Sequence, residues 1–244
     1  MNLLKRLLYT FLMMAIIMSC KDDDPQPSVE NAKFSLGASS PLELPSNLTA
    51  SQDEHAQQVV AWAAAANAMS NYSAMFTPPQ GAEKSTTAIT PANGRLAATT
   101  ASVVVYTWSD PYYGSVAYQV SDLSDRFTFE IFTKEDGSED WYRLVYAEEQ
   151  KDGSEGYLVV YDITDNSGDV WMRWDWTRNG STFIMDFSSM GVVSYTFTID
   201  TNTNAGSIVY SVDNEIIYEL TWTSSGTGTW KEYSDGELVA SGEW

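Results

Sequence analysis

Cysteine and histidine are almost absent from this sequence. Among 244 residues there is one cysteine, Cys20, and one histidine, His55. A single cysteine cannot form an intrachain disulfide, and one histidine with one cysteine nearly excludes transition-metal sites built from nitrogen and sulfur ligands. A nucleophilic triad would need His55, which lies in the first turn of a predicted helix and far from any serine in a nucleophile-elbow context. We therefore expect a protein without catalytic activity.

Basic residues are also scarce, with 13 Lys and Arg against 33 Asp and Glu, a net charge of −20. The resulting field repels phosphate, so nucleic acid is excluded as a partner. Glu130, Asp162 and Asp175 share one predicted strand face with Arg143 and Arg173. We interpret them as ion pairs on a solvated surface rather than as the acid and base of a glycosidase. A surface glycan-processing enzyme is kept only as a third alternative.

Long hydrophobic runs are missing as well. The longest, Leu7–Met18, follows Lys5 and Arg6 and is too short to form a stable bilayer span. A charged start, an apolar stretch and then Ser19-Cys20 form the pattern of a secretory signal peptide. The sequence therefore predicts that residues 1–19 are removed after export.

The residues around this processing site resemble a known class of protein. Ile17-Met18-Ser19-Cys20 resembles the lipobox of bacterial lipoproteins, and Lys21-Asp22-Asp23-Asp24-Pro25 is similar to the acidic export tag of surface-exposed lipoproteins of the Bacteroidota. The resemblance implies that Cys20 carries diacylglycerol and palmitate and anchors the protein in the outer membrane, facing the cell exterior. Loss of residues 1–19 would leave 11 basic and 33 acidic residues, a net charge of −22. A buried free thiol and a merely solvated acidic linker are the alternatives. The resemblance covers only residues 1–25, and the domain family behind it is not identified.

The remaining chain divides into a tether and one domain. Residues 20–50 are rich in Asp, Pro, Ser and Asn and predict a lipidated flexible tether, followed by a single domain over 51–244. The S-x-x-E pattern from Ser51 predicts a helix over 52–76 with apolar residues on more than one side. Residues 77–100 are expected to form a connecting loop.

From residue 101 to 244 the hydrophobic period changes to two, with turn residues between the apolar segments. Strands are predicted over 102–109, 115–123, 126–134, 140–149, 156–164, 169–178, 181–188, 192–200, 206–212, 215–223, 227–234 and 237–243. We therefore expect a mainly β protein, an antiparallel meander of about 12 strands that forms a barrel or strongly curved half-barrel. The long N-terminal helix should pack on its concave side.

Two details of register follow from the turn signals. Asn179-Gly180 is predicted to be a two-residue turn, which would place Trp176 opposite Phe183. Continuing the alternation backward puts Tyr146 and Tyr157 on the apolar face of the sheet.

Four aromatic residues are the candidates for ligand recognition, because they are predicted to lie in a turn or on the outer face and aromatic rings can stack on ligands. They are Tyr112, Tyr113, Trp141 and Trp171.

One loop has oxygen-bearing side chains at alternate positions, like the start of a calcium loop. Its candidate ligands are Asp200, Asn202 and Asn204. A polar hairpin loop without metal is the alternative. We expect no other cofactor.

These features predict a lipid-anchored binding or interaction module. The alternative is a carrier of a lipid or other apolar ligand in the concavity of the sheet, since the overall plan is similar to the lipoprotein-carrier fold. Expected partners are the membrane, through the anchor, and a glycan, a lipid or another envelope protein.

Overall fold

The computed structural model describes residues 28–35, 42–92, 102–162 and 168–244. The predicted signal peptide, the lipidation site Cys20 and the acidic run lie outside the described residues, as do residues 93–101 and 163–167. The elements are α1 (Ser46–Thr49), α2 (Glu54–Ala68), a 3-10 helix (Met69–Phe76), β1 (Glu83–Ser85), β2 (Ser102–Asp110), β3 (Gly114–Asp122), β4 (Arg126–Lys134), β5 (Tyr142–Gln150), β6 (Glu155–Tyr161), β7 (Val170–Asn179), β8 (Thr182–Ser189), β9 (Val193–Asp200), β10 (Gly206–Val212), β11 (Glu215–Trp222), β12 (Gly228–Ser234) and β13 (Glu237–Glu243).

All strands belong to one antiparallel sheet of 13 strands in sequence order, which confirms the predicted mainly β meander. The additional strand, β1, lies inside the predicted connecting loop. The predicted barrel is wrong, because β1 and β13 are the two edges of the sheet in the described part of the chain. Closure would need these edges to pair, and β1 has only three residues, all exposed. The strong curvature expected of the sheet stays a prediction.

A single helix over 52–76 does not form. α2 has 15 residues, and a 3-10 helix of eight residues continues the chain to Phe76. Serine and asparagine have lower helix propensities than alanine, and the sequence after the alanine-rich α2 contains both residue types.

The N-terminus of α2 is capped by Asp53 and not by Ser51. Asp53 Oδ1 accepts hydrogen bonds from the backbone N–H groups of His55 and Ala56 at 2.9 and 3.2 Å. Ser51 Oγ accepts a hydrogen bond from the backbone N–H of Asp53 at 3.2 Å. The carboxylate is at least as good an N-cap and is favoured by the helix dipole. The cap therefore lies two residues later than predicted.

α2 and the 3-10 helix cross one face of the sheet, which we call the packed face. Their aromatic contacts fall on β12, β10 and β7 in turn: His55 on Trp230 at 3.9 Å, Trp62 on Tyr210 at 5.3 Å and Tyr72 on Trp174 at 5.5 Å between ring centroids. Strands lie ~4.8 Å apart and an α-helix rises ~1.5 Å per residue, so about three helical residues span one strand. The observed spacing fits a helix that runs nearly perpendicular to the strands.

Two segments assigned to the tether contact this face. Phe34 is buried against Phe76, Phe129 and Trp176, and Leu48 of α1 is fully buried. Single apolar residues in a polar stretch thus join these segments to the core. The packed domain therefore includes residues 28–35 and 42–50.

The predicted pairing of Trp176 with Phe183 is wrong. Trp176 lies opposite Met185, and the turn residues are Gly180 and Ser181. Gly180 has φ +59°, while Asn179 is not among the residues with positive φ. A type II′ turn has this pattern, with glycine at its first central position. The observed partner of Trp176 lies two residues beyond the predicted one. Because side chains on alternate residues share a face, Trp176 lies on the predicted face of the sheet.

The predicted inward orientation of Tyr146 and Tyr157 is also wrong. The register between β4 and β5 shifts between Ile131 and Phe132, and Leu144 is left without a partner. The extra residue in such a bulge exchanges the two sheet faces on which the following side chains of the strand lie. Both tyrosines therefore lie on the face opposite the packed face, which we call the outer face.

The outer face is less exposed to solvent than predicted. Glu130 and Arg143 form an ion pair, as expected, but they are 1% and 7% exposed, with 2.6 Å between Oε1 and Nη2. Gln119 donates a hydrogen bond to Glu130 Oε2 at 2.8 Å and accepts one from the backbone N–H of Ile89 at 2.7 Å. The chain around Ile89 thus contacts the buried pair. Burial raises the pKa of the Glu130 carboxyl, and Arg143 and Gln119 oppose that shift.

Candidate functional site

The two ends of the sheet differ in polarity. In a meander, the turns β2–β3, β4–β5, β6–β7, β8–β9, β10–β11 and β12–β13 lie at one end. Ten large hydrophobic side chains are exposed among the described residues, and all but Met75 lie in or beside these turns. We call this the aromatic end. The nine are Tyr112, Tyr113, Val170, Trp171, Met190, Val192, Ile216, Leu238 and Val239.

The opposite end, which we call the polar end, has turns rich in Ser, Thr, Asn, Asp and Gly. α1 docks on one of them, where Asn47 Nδ2 donates a hydrogen bond to Ser225 O at 3.0 Å. A β-carbon on Gly226, which has φ +87°, would lie 2.6 Å from the backbone nitrogen of Leu48. The polar end is thus partly occupied by the chain itself, and no large hydrophobic side chain is exposed in its described turns.

The β2–β3 turn holds the two tyrosines of the predicted site. Asp110 Oδ1 accepts hydrogen bonds from the backbone N–H groups of Tyr112 and Tyr113 at 2.8 and 3.1 Å, which fixes the turn. Gly114 follows with φ +73°, and a β-carbon at this position would lie 2.7 Å from the carbonyl oxygen of Lys134. Tyr112 is left 90% exposed. Nothing in the fold of this turn requires the two exposed rings.

Tyr112 and Tyr113 line a cleft of about 500 Å³. We call it the tyrosine cleft, and its other polar lining includes Asp110, Glu135, Asp136 and Tyr142. The sequence did not single out these four residues. They could have been found from the predicted strands, because all four lie at strand ends or in turns at the same end of the sheet.

Trp141 and Trp171, the other two candidates, lie apart from each other. Trp141 is half-buried against the apolar cluster of the outer face, and the Lys134 ammonium lies 5.0 Å from its ring centroid. Trp171 is 43% exposed beside Val170, and its carbonyl accepts a hydrogen bond from the backbone N–H of Met190. The structure therefore brings Tyr112 and Tyr113 together, while Trp171 belongs to a second exposed patch at the same end.

A larger cleft, of about 690 Å³, lies on the packed face beyond the end of the 3-10 helix. Its apolar lining includes Phe34, Phe76, Tyr106 and Tyr118, and the last two are stacked with centroids 6.2 Å apart. Burial raises the pKa of the Tyr118 hydroxyl. Glu30 also lines the cleft and forms an ion pair with Lys84. We call it the phenylalanine cleft.

The reversed alternation on β5 and β6 creates a charged network on the outer face. Glu148 accepts hydrogen bonds from Tyr146 at 2.9 Å, from Tyr157 at 3.4 Å and from Arg126 at 2.5 Å. The two tyrosine rings stack at 5.7 Å, and the Arg173 guanidinium lies 4.5 Å from the Tyr157 centroid. Burial, and after it Glu148, raises the pKa of Tyr157. The polar groups of this network thus form hydrogen bonds with one another, and the tyrosine rings contact each other and the Arg173 guanidinium.

The loop with the predicted calcium ligands is fixed by its own hydrogen bonds. Asp200 Oδ1 accepts from the backbone N–H groups of Asn202 and Thr203 at 2.9 and 3.1 Å, and these bonds hold the pKa of Asp200 below its usual value. The carbonyl of Asn204 accepts from Trp222 Nε1 at 2.7 Å. Calcium binding by Asp200, Asn202 and Asn204 stays a prediction.

Across the described part of the chain, no group of three or more His, Cys, Asp or Glu side chains is arranged to hold a metal ion. No helix among the described residues is long and apolar enough to cross a bilayer. No protein-family model and no curated protein matches this chain.

Proposed function

We propose that this protein is a lipid-anchored, non-enzymatic binding module of the outer membrane that contacts its partner through the aromatic end of the sheet. The observation behind the proposal is the uneven distribution of exposed large apolar side chains: of the ten found in the described part of the chain, nine lie at one end. Scattered exposed hydrophobic residues need no explanation, but a one-sided grouping marks an interaction surface. The anchor rests on the resemblance around Cys20, and the exterior location rests on Asp22–Asp24.

The contact surface is tested by the binding of a fluorescently labelled soluble form, beginning at Lys21, to the envelopes of the producing cells. We expect saturable binding that weakens at least tenfold in the triple variant Tyr112→Ser, Trp171→Ser, Met190→Ser. These side chains are exposed, so the melting temperature should not change. Asp152→Ser with Asn202→Ser at the polar end is the control. Equal binding by the triple variant would refute the proposed surface.

The anchor is tested separately. Cys20→Ala should abolish labelling by a radioactive fatty acid and leave an unprocessed or soluble precursor. Unchanged labelling would disprove lipidation at Cys20. Protease added to intact cells should digest the domain if it faces the exterior, and a resistant domain would place it on the periplasmic side.

The phenylalanine cleft supports a second candidate function, a carrier of a lipid or other apolar ligand. Its volume of about 690 Å³ falls within the range of small-molecule sites, and four aromatic rings line it. A sheet strongly curved around the helices, as the sequence predicts, would deepen it. Organic extraction of the purified protein followed by mass spectrometry should then yield one class of lipid in stoichiometric amount. Its loss in Tyr106→Ser, at a half-buried residue of the lining and with an unchanged melting temperature, would assign the ligand to this cleft.

A further inference from the structure

We propose that the tyrosine cleft binds an arginine side chain presented by a partner protein. This rests on the proposed function, because it identifies the chemistry of the partner at the same end of the sheet. The ten residues that line the cleft include three tyrosines and three acids, and none is basic. The cleft therefore combines aromatic faces with uncompensated negative charge.

No ion pair in the described part of the chain neutralises the charges of the cleft. Within the described residues, Asp110, Glu135 and Asp136 take part in none of the ion pairs, which are formed by other carboxylates. Asp110 uses Oδ1 to fix the turn, and Oδ2 takes no part in that turn. The nearest lysine in sequence, Lys134, points its ammonium at Trp141 on the outer face. Among the described residues no basic side chain lines the cleft, so the cleft is able to accept a cation from a ligand.

Tyrosine faces attract cations through the ring quadrupole, and carboxylates accept their hydrogen bonds. Arginine suits this combination better than lysine, because its planar guanidinium stacks on aromatic rings while its fork of donors contacts a carboxylate in two places. The net charge of −20 raises the local concentration of cationic partners and repels anionic ones.

A partner protein fits this end better than a small free cation. Tyr112 is 90% exposed and offers contact area outside the cleft. The apolar patch of Trp171, Met190 and Val192 continues along the same end of the sheet. A surface that presents arginine among apolar side chains would match both features, as at the centres of many protein interfaces.

The full-length protein in detergent is titrated by calorimetry at 0.15 M salt with a short peptide containing three arginines. The matched peptide contains citrulline, which keeps the shape of arginine and lacks its charge. We expect the arginine peptide to bind and the citrulline peptide to show at least tenfold weaker affinity. Equal binding of the two peptides, or no binding of either, would overturn the proposal.

Variants locate the binding. Asp136→Asn and Tyr113→Ala should each weaken the arginine peptide at least fivefold, while Asp152→Asn at the polar end makes the same charge change and should alter affinity less than twofold. An equal loss in Asp152→Asn would show unspecific attraction to the net charge and contradict a site in the cleft. If the arginine peptide does not bind but the triple variant still loses envelope binding, the arginine chemistry is rejected and the proposed surface is retained. If the arginine peptide binds but the triple variant keeps full envelope binding, the proposed surface is rejected.

Discussion

At the scale of single residues, the buried pair Glu130 and Arg143 has the strongest energetic consequence. Both side chains are removed from water, and Gln119 donates a hydrogen bond to Glu130 Oε2. The desolvation of such a pair offsets much of its Coulomb attraction, so the pair itself contributes little net stability. Loss of one partner is costly, since it leaves an uncompensated charge in the protein.

Arg143→Met should therefore lower the free energy of unfolding by about 3–5 kcal/mol, measured by urea denaturation. The control is the double variant Glu130→Leu, Arg143→Met, which removes both charges and should recover most of the loss. A double variant no more stable than Arg143→Met would show that the loss comes from packing and not from the unpaired carboxylate.

The β7–β8 turn supplies a second test with single residues. Only Gly180 has positive φ there, so Gly180→Val should cost about 1 kcal/mol or more through backbone strain, while Asn179→Val should cost clearly less. A turn formed by Asn179 and Gly180 would make both substitutions costly. The melting temperatures of the two variants distinguish these registers.

At the scale of elements, 12 of the 13 strands and their order could be predicted from the sequence, because alternation and turn residues are local signals, whereas the three-residue β1 lies inside the predicted loop. The prediction of which side chains face the helices failed on β5 and β6. The bulge at Leu144 exchanges the two faces of the strand, and no local feature of the sequence indicates it. The burial of Glu130 could not be predicted either, since it depends on the distant segment around Ile89. At the candidate site, the exposed tyrosines were identifiable as turn residues, whereas Asp136 and Tyr142 join them only through the pairing of β3, β4 and β5.

The N-terminal segments provide the test at this scale. Leu48 is fully buried although its neighbours are polar, so Leu48→Ala should destabilise the domain by about 2–5 kcal/mol. Met75 in the 3-10 helix is 39% exposed and is the control, with an expected change below about 1 kcal/mol in Met75→Ala. Equal, small effects would mean that α1 is detachable from the sheet.

At the scale of the whole molecule, the chain covers one face of an open sheet with its own helices and exposes apolar side chains at one end. The helices contact strands from β12 to β4, so the packed face is largely occupied. The N-terminal segments use the same face. Within the described ranges, the aromatic end therefore carries most of the exposed large apolar side chains.

Photo-crosslinking in the producing cells tests this central claim most directly. A photoreactive phenylalanine derivative is placed at Trp171 on the aromatic end or at Asn202 on the polar end, and adducts are resolved by mass. We expect a crosslinked species of one defined mass from position 171 and none from position 202. Crosslinks from position 202 alone, or equal crosslinking from both positions, would contradict the assignment of the partner to the aromatic end.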